Sequence, residues 1–256
     1  MSELILQELN EGVLLITLNN PKKKNAFNAE AWIGLAETLN SAKDNPEINV
    51  VVITGAGKDF SAGQDLGDLT GKDDAGLSPY QHTERALLDF DKPVLMCAKG
   101  VAVGGGGTIL FHADIAYVGE SLRFRLPFTS LGLAPEFGSS YLLQANIGAQ
   151  RAAEILLCAE WLDADQAVEC GIAARKFSDD ELLDKTLEKA HTIAKLAPNA
   201  LRESKRCIKL AQRQHLEAAY KMESDSMDKL RGSEENTEAI MALFEKREPD
   251  FKKLAK

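Results

Sequence analysis

The sequence predicts an α/β fold in which short parallel strands alternate with helices and are followed by a helical C-terminal region. Short apolar runs, such as the β-branched residues 50–54 and residues 94–98, are separated by segments with helical periodicity. Glycine-rich turn signals follow several of these runs. In the last part of the chain strand signals fade, and helical patterns continue from Pro198 onward. We therefore expect two domains, with residues 1–197 as the α/β core and residues 198–256 as a helical oligomerisation region.

The N-terminal elements follow from local signals. Residues 4–9 and 13–18 are apolar-rich runs on either side of Asn10-Glu11-Gly12, which predicts a β-hairpin. Asn28 is a residue type that caps helices, and it predicts a helix over residues 29–43.

The middle of the chain continues the alternation of strands and helices. Residues 67–79 are rich in Gly and Asp and predict a mobile loop, which together with a helix over 82–90 shapes a binding pocket. A helix begins at the glycine run 103–108, and a strand follows over 115–118. Strands joined by such short helical segments favour right-handed crossovers and parallel pairing. Further helices are predicted over residues 151–158, 178–196, from Pro198 onward, and over 234–246.

Composition excludes several classes of function. The net charge is −9, which argues against a general surface for nucleic acid or anionic membranes. The four cysteines have no CxxC spacing and are expected to be reduced and mostly buried. No apolar run reaches the length of a membrane span, and Met1-Ser2-Glu3 does not begin a signal peptide, so a cytoplasmic protein is expected. No metal is expected, because the four histidines lack metal-like spacing.

Two segments carry candidate chemistry. The glycine run 103–108 offers bare backbone N–H groups that can bind a small oxygen anion. About thirty residues later, Glu136 lies where a loop enters a helix and can act as a general base. Together they suggest an enzyme that removes a proton next to a carbonyl and stabilises the enolate. Each segment also has a purely structural reading, as a turn and as a helix start.

Several motifs along the chain occur together in one order and spacing. They are Asn19-Asn20-Pro21, Asn25-Ala26-Phe27-Asn28, residues 60–66, Lys92-Pro93-Val94, residues 100–106 and Phe244-Glu245-Lys246-Arg247. With these motifs the sequence resembles the crotonase, or enoyl-CoA hydratase/isomerase, superfamily over essentially its whole length. The resemblance implies a spiral of ββα units with a helical C-terminal trimerisation domain, assembled as homotrimers or as dimers of trimers. It also implies acyl-CoA thioester substrates, with no cofactor because coenzyme A is part of the substrate.

The resemblance assigns roles to individual residues. The two backbone donors of the family's oxyanion hole correspond to Gln64 and Gly105. Asp65 corresponds to a position that supports the oxyanion loop. The residues expected along coenzyme A are Lys24, Ala26, Ala62 and Asp65.

The identity of the carboxylates indicates the reaction. Hydratases of the superfamily carry two glutamates, and this chain has Thr108 and Phe128 at those positions. Glu136 instead matches the sole acid/base of delta-3, delta-2 enoyl-CoA isomerases. A dry pocket would raise the pKa of Glu136 and a helix N-terminus would lower it, and the sequence leaves that balance open. The expected acyl-pocket walls are Leu126, Phe128, Leu133 and Phe137.

Three alternatives stay open at this point. Isomerases that rearrange a ring epoxide on an aryl-acetyl-CoA resemble this chain in Gly55-Ala56-Gly57 and residues 62–66, but they usually carry aspartate at the Glu136 position. Two-base dienoyl-CoA isomerisation ranks lower, because its second carboxylate would fall at Phe128. A non-catalytic crotonase-fold binding protein is the third, and the retained glycine run and site glutamate argue against it.

Overall fold

The computed structural model describes residues 3–68 and 71–254, without the side chain of Leu210. Met1 and Ser2 of the expected N-terminus therefore lie outside the described residues. So do Leu69 and Thr70 of the predicted loop 67–79, and residues 255–256 at the end of the predicted C-terminal domain.

The described strands form a larger mixed sheet and a smaller one. The larger sheet has the order β1-β2-β3-β4-β6-β9, with an antiparallel β1–β2 hairpin and parallel pairing elsewhere. The predicted hairpin is confirmed, and its turn residues Glu11 and Gly12 have the positive φ angles of a tight two-residue turn. The smaller sheet has the order β5-β7-β8. The strands are β1 Ile5–Asn10, β2 Val13–Leu18, β3 Val50–Gly55, β4 Val94–Ala98, β5 Val101–Val103, β6 Ile115–Gly119, β7 Arg123–Arg125, β8 Leu162–Asp163 and β9 Arg175–Phe177.

The helices lie close to the predicted positions. The Asn28 cap is confirmed, because its side chain accepts a hydrogen bond from the Ala31 N–H at 2.9 Å. The helix after the loop was predicted from residue 82 but begins at Pro79, because Ser78 and Gln81 form a capping box one turn earlier. The helices are α1 Ala29–Asp44, α2 Pro79–Leu88, α3 Gly105–Thr108, α4 Ser139–Ile147, α5 Ala149–Cys158, α6 Ala164–Cys170, α7 Leu182–Ala194, α8 Pro198–Leu230 and α9 Glu234–Glu245.

Apolar side chains on both faces of the larger sheet are buried. Successive residues of a strand point to opposite faces, so Val51 and Ile53 join a cluster that includes Trp32 of α1, whereas Val50 and Val52 pack with α7. This burial on two faces explains why the central parallel strands β3 and β4 read as continuous apolar runs.

The helical region from Pro198 docks on the α/β part through polar contacts as well as apolar ones. Lys205 of α8 is buried, donates to the Lys92 carbonyl at 2.6 Å and pairs with Asp114 at 2.8 Å. Asn236 of α9 donates to the Leu131 carbonyl at 2.8 Å. The division at residue 198 remains our proposal for the domain boundary.

Two features complete the description of the chain. Cys97 is buried, but Cys158 and Cys207 are exposed, so the prediction of mostly buried thiols is wrong for these two helix-surface positions. No helix in the described part of the chain combines the length and apolar character needed to cross a membrane.

Candidate active site

Two loops at the carboxyl ends of strands are fixed side by side. Ser61 pairs with β5, donating its N–H to the Val101 carbonyl at 2.9 Å and accepting from the Val103 N–H at 3.0 Å. The next turn pairs with the segment before α1, where Phe27 donates to the Gly63 carbonyl at 2.8 Å. Backbone pairing on both sides therefore holds the Gln64 amide in a fixed place.

Glycine is required where these loops touch. Gly63 has a φ of +82°, and a β-carbon there would clash with the Val103 carbonyl and lie 3.1 Å from the Gly105 nitrogen. A β-carbon on Gly106 would clash with the Ser61 carbonyl. The two glycines thus allow the Gln64 and Gly105 amides to come close together.

These two amides are available to a ligand. Among the hydrogen bonds of the described residues, neither the Gln64 nor the Gly105 backbone N–H has an acceptor. Gly105 begins α3, and the first N–H groups of a helix have no partner within it. The structure thus places side by side the two donors that the sequence assigned to the oxyanion hole.

The side chain of Trp32 contacts both of these loops. Its indole N–H donates to the Gln64 side-chain oxygen at 2.9 Å, and its ring stacks on Phe27 at 3.8 Å between centroids. A ring carbon of Trp32 would lie 3.1 Å from a β-carbon on Gly105. The position of Trp32 on the apolar face of α1 predicts only core packing, so its contact with Gln64 is seen only in the structure.

The carboxylate of Glu136 lies close to Gly105. A β-carbon on Gly105 would be 3.3 Å from Glu136 Oε1, so the carboxylate faces the start of α3. Glu136 is partly buried and precedes α4, which begins three residues later at Ser139. The predicted base and the predicted donors therefore come together in one place.

Burial dominates the acidity of this carboxylate. It raises the pKa of Glu136 to about 7, an effect that the positive charge of Arg231 opposes and the negative charge of Glu223 reinforces. At the N-terminus of α4, Glu223 is the bound carboxylate. It accepts hydrogen bonds from the Gly138 N–H at 2.7 Å and from the Ser140 N–H at 2.8 Å. Desolvation therefore outweighs the helix N-terminus in setting the pKa of Glu136, because the N–H groups at the start of α4 are bonded to Glu223 instead.

A buried histidine fixes the residue next to Glu136. Phe137 has a φ of +63°, which is uncommon for a side chain of its size, and its carbonyl lies 2.8 Å from His112 Nε2. Since a carbonyl only accepts, Nε2 carries the proton and donates. Burial lowers the pKa of His112 to about 3, so the ring stays neutral. No sequence pattern indicates a role for His112, whereas in the structure it bonds to the Phe137 carbonyl and positions that residue.

The predicted acyl-pocket residues belong to one apolar region. Leu126, Phe128 and Phe137 are buried members of the main core cluster, and the partly buried Leu133 packs against it. Phe137 also lies 5.6 Å from the Trp32 ring, between centroids. Their role as walls of an acyl pocket stays a prediction.

The residues expected along coenzyme A lie on one edge of the oxyanion loop. The Ala62 N–H donates to the Lys24 carbonyl at 2.9 Å, and Ala26 lies in the adjoining turn. Asp65 pairs with Lys23 at 2.6 Å, and this bond lowers the pKa of Asp65. No set of three His, Cys, Asp or Glu residues in the described chain is arranged to hold a metal ion.

Comparison with known proteins gives the family. Residues 8–254 match the family model described as enoyl-CoA hydratase/isomerase. A 2,3-dehydroadipyl-CoA hydratase of Escherichia coli is 34% identical, with 98% of this chain and 99% of the relative aligned. A 1,2-epoxyphenylacetyl-CoA isomerase of the same organism is also 34% identical, over 98% and 99%. The human enoyl-CoA delta isomerase 2 is 30% identical, over 96% of this chain and 64% of the relative.

Solved structures agree with the sequence comparison. The crystal structure of an enoyl-CoA hydratase/isomerase from Pseudoalteromonas atlantica superposes with a TM-score of 0.93 at 36% identity. The superposition covers 97% of this chain and all of the other, so the resemblance extends through the helical C-terminal region. The chain therefore belongs to the enoyl-CoA hydratase/isomerase family and has the crotonase fold.

Proposed function

We propose that this protein is an enoyl-CoA isomerase that converts a 3-enoyl-CoA to the conjugated 2-enoyl-CoA, with Glu136 as its only acid/base. The observation that carries the proposal is the position of Glu136 Oε1 against Gly105, beside two backbone N–H groups without acceptors. The raised pKa of Glu136, about 7, suits a group that must take up a proton and then release it.

The reaction needs one carboxylate on one face of the substrate. Glu136 removes a proton from C2, and the electron pair moves onto the thioester oxygen to form an enolate. The Gln64 and Gly105 N–H groups donate hydrogen bonds to that oxygen, each worth roughly 3–4 kcal/mol of transition-state stabilisation. The protonated Glu136 then returns the proton to C4, roughly 2.5 Å from C2, as the double bond moves from C3–C4 to C2–C3.

The positions of the hydratase glutamates argue against hydration of the double bond. By the family resemblance these positions are Thr108 and Phe128. Thr108 is fully buried, and its hydroxyl lies 3.4 Å from the Gly105 carbonyl, while Phe128 is buried in the apolar core. Neither position therefore supplies a carboxylate that could hold the water molecule needed for hydration.

A second candidate is rearrangement of a ring epoxide on an aryl-acetyl-CoA. The observation that favours it is the 34% identity to the 1,2-epoxyphenylacetyl-CoA isomerase over nearly the whole of both chains. It ranks second because Glu136 stands where such isomerases usually carry aspartate. Glutamate reaches one methylene further than aspartate, so it would set the reacting carboxylate at a different depth.

We further propose that coenzyme A lies along Lys24, Ala26, Ala62 and Asp65, and that the protein assembles as a homotrimer or a dimer of trimers. Exposed apolar side chains on α8 and α9 support this assembly, since they are available for burial between subunits. They are Ile208, Met222, Met241, Leu243 and Phe244.

Turnover of a medium-chain 3-enoyl-CoA, followed by the ultraviolet absorbance of the conjugated thioester, tests the proposal. We expect wild-type conversion and a loss of at least ~10²-fold in Glu136→Gln, as is typical for a general base. Glu154→Gln is the control, because Glu154 is exposed on α5 and should leave the rate unchanged. Full activity in Glu136→Gln would refute the proposal.

Substrate comparison separates the alternatives. Conversion of an aryl-acetyl-CoA ring epoxide, without conversion of the 3-enoyl-CoA, would favour the second candidate. Failure to bind either thioester would instead indicate a non-catalytic binding protein.

A further inference from the structure

Helix α2 brings a second glutamate to the same site. Thr83 of this helix donates its hydroxyl to the Trp32 carbonyl at 2.6 Å, which fixes α2 against α1. Tyr80 places its ring 6.3 Å from the ring of Phe137, the residue next to Glu136. Glu84 follows Tyr80 by four residues, so it lies one helical turn along the same face. The geometry of α2 therefore directs Glu84 toward the loop that carries Glu136.

The Glu84 side chain is buried without a partner. The residue is 6% exposed, and its carboxyl group forms no hydrogen bond or ion pair within the described part of the chain, although its oxygens are not completely enclosed. Glu223, which is 5% exposed, differs because both of its oxygens accept backbone N–H groups. An isolated buried carboxylate is costly, and such a group normally takes up a proton instead.

Charged and titratable groups surround Glu84 from three elements. Glu136 faces it from the loop before α4, and Glu223 and Tyr220 face it from α8. Tyr80 and Arg85 belong to its own helix.

Burial outweighs the attraction of the Arg85 guanidinium in setting the pKa of Glu84. Burial raises the pKa of Glu84 to about 9, the negative charges of Glu223 and Glu136 add to this, and Arg85 opposes it. His82 lies on another side of α2, where it pairs with Asp73 of the preceding loop. At neutral pH the Glu84 carboxyl therefore carries no charge.

We propose that Glu84 is a positioning residue of this active site: its neutral carboxylic acid allows negative charge to develop at Glu136 and on the substrate, and its ionisation stops turnover in alkaline solution. The inference rests on the proposed function, in which Glu136 is an anion before reaction and the thioester oxygen becomes one during it. A further negative charge in the same low-dielectric region would oppose both states. It would raise the proton affinity of Glu136 and destabilise the enolate.

The first test is the pH profile of kcat for 3-enoyl-CoA turnover in wild type and Glu84→Gln. The wild-type rate should rise through about pH 7 and fall above about pH 9, so that kcat drops about tenfold between pH 8 and pH 10. Glutamine resembles the neutral acid and cannot ionise, so the variant should lose this alkaline fall. The control is Glu37→Gln, an exposed glutamate of α1 that should keep it. An alkaline fall that persists in Glu84→Gln would overturn the inference.

The second test does not depend on turnover. The infrared difference spectrum between wild type and Glu84→Gln at pH 7 should contain a protonated carboxylic acid band that vanishes at pH 10. A carboxylate band at pH 7 would overturn the inference even if the variant were too unstable for kinetics. Circular dichroism at each pH verifies that the folded state persists.

The outcomes also separate this inference from the proposed function. If Glu136→Gln keeps its turnover, the proposed function fails, whatever Glu84→Gln does. If Glu136→Gln loses its turnover while Glu84→Gln keeps the alkaline fall, only the role of Glu84 is refuted.

Discussion

Glu136 should lower the stability of the protein at neutral pH, so Glu136→Gln should be more stable than wild type. The folded protein holds the Glu136 proton up to about pH 7, whereas an unfolded glutamate loses it near pH 4.5. Between these values the folded state binds more protons than the unfolded state, so stability falls as the pH rises. Glutamine does not titrate and removes this dependence.

The magnitude follows from the difference between the two pKa values. One unit corresponds to roughly 1.4 kcal/mol, so the full cost of ionising Glu136 is about 3 kcal/mol above pH 8. At pH 5 less than 1 kcal/mol of it has developed, by the same relation. The stability difference between Glu136→Gln and wild type should therefore grow by about 2.5 kcal/mol from pH 5 to pH 8.

Urea unfolding of both proteins at pH 5 and pH 8 measures this change. Protein concentration must be held constant, because subunit association would shift the apparent free energy of unfolding. Comparing the two pH values removes any constant effect of the amide on packing. A difference between variant and wild type that does not change with pH would refute the reasoning, since it would mean that Glu136 is not desolvated.

Two further predictions concern the oxyanion loops. Gly63→Ala should lower kcat at least ~10²-fold, because its β-carbon would clash with the Val103 carbonyl and displace a donor amide. The control is Gly148→Ala, since Gly148 has a similar positive φ but open space around it, and this variant should keep its activity in the same assay. Trp32→Phe should lower kcat/KM about fivefold, since it removes the 2.9 Å hydrogen bond to the Gln64 side chain, worth about 1 kcal/mol. The control is Trp161→Phe, at a half-exposed tryptophan. An equal loss of kcat/KM in both variants would contradict the role of Trp32 in positioning Gln64.

Local signals explain why much of the fold could be predicted. The hairpin around Gly12 and the Asn28 cap depend on residues close in sequence, and both are present in the structure. The early start of α2 was missed because its signal is a capping box at Ser78 and Gln81 rather than an apolar pattern. Boundaries of this kind depend on one or two hydrogen bonds.

The electrostatics of the site could not be predicted in the same way. The family motifs identified Glu136, but its pKa depends first on burial and then on the charges of Arg231 and Glu223, which other parts of the chain bring to the loop. Glu223 of α8 also accepts the Gly138 and Ser140 N–H groups at the start of α4. The sequence does not indicate a role for Glu84 at the site, because a glutamate on an amphipathic helix normally faces solvent. His112 likewise becomes a positioning group only through its contact with the Phe137 carbonyl. These contacts join residues far apart in the chain, and sequence spacing does not reveal them.

The two hydrogen bonds made by Trp32 have a mechanical consequence. Thr83 of α2 donates to its main-chain carbonyl, and its indole N–H donates to the side chain of Gln64. One buried residue therefore connects α2 to the loop that carries Gln64. In the proposed function, α2 borders the acyl chain and the Gln64 amide receives the developing charge. Acyl chains that fit α2 badly should misalign that amide, so chain-length preference should be expressed in kcat as well as in KM.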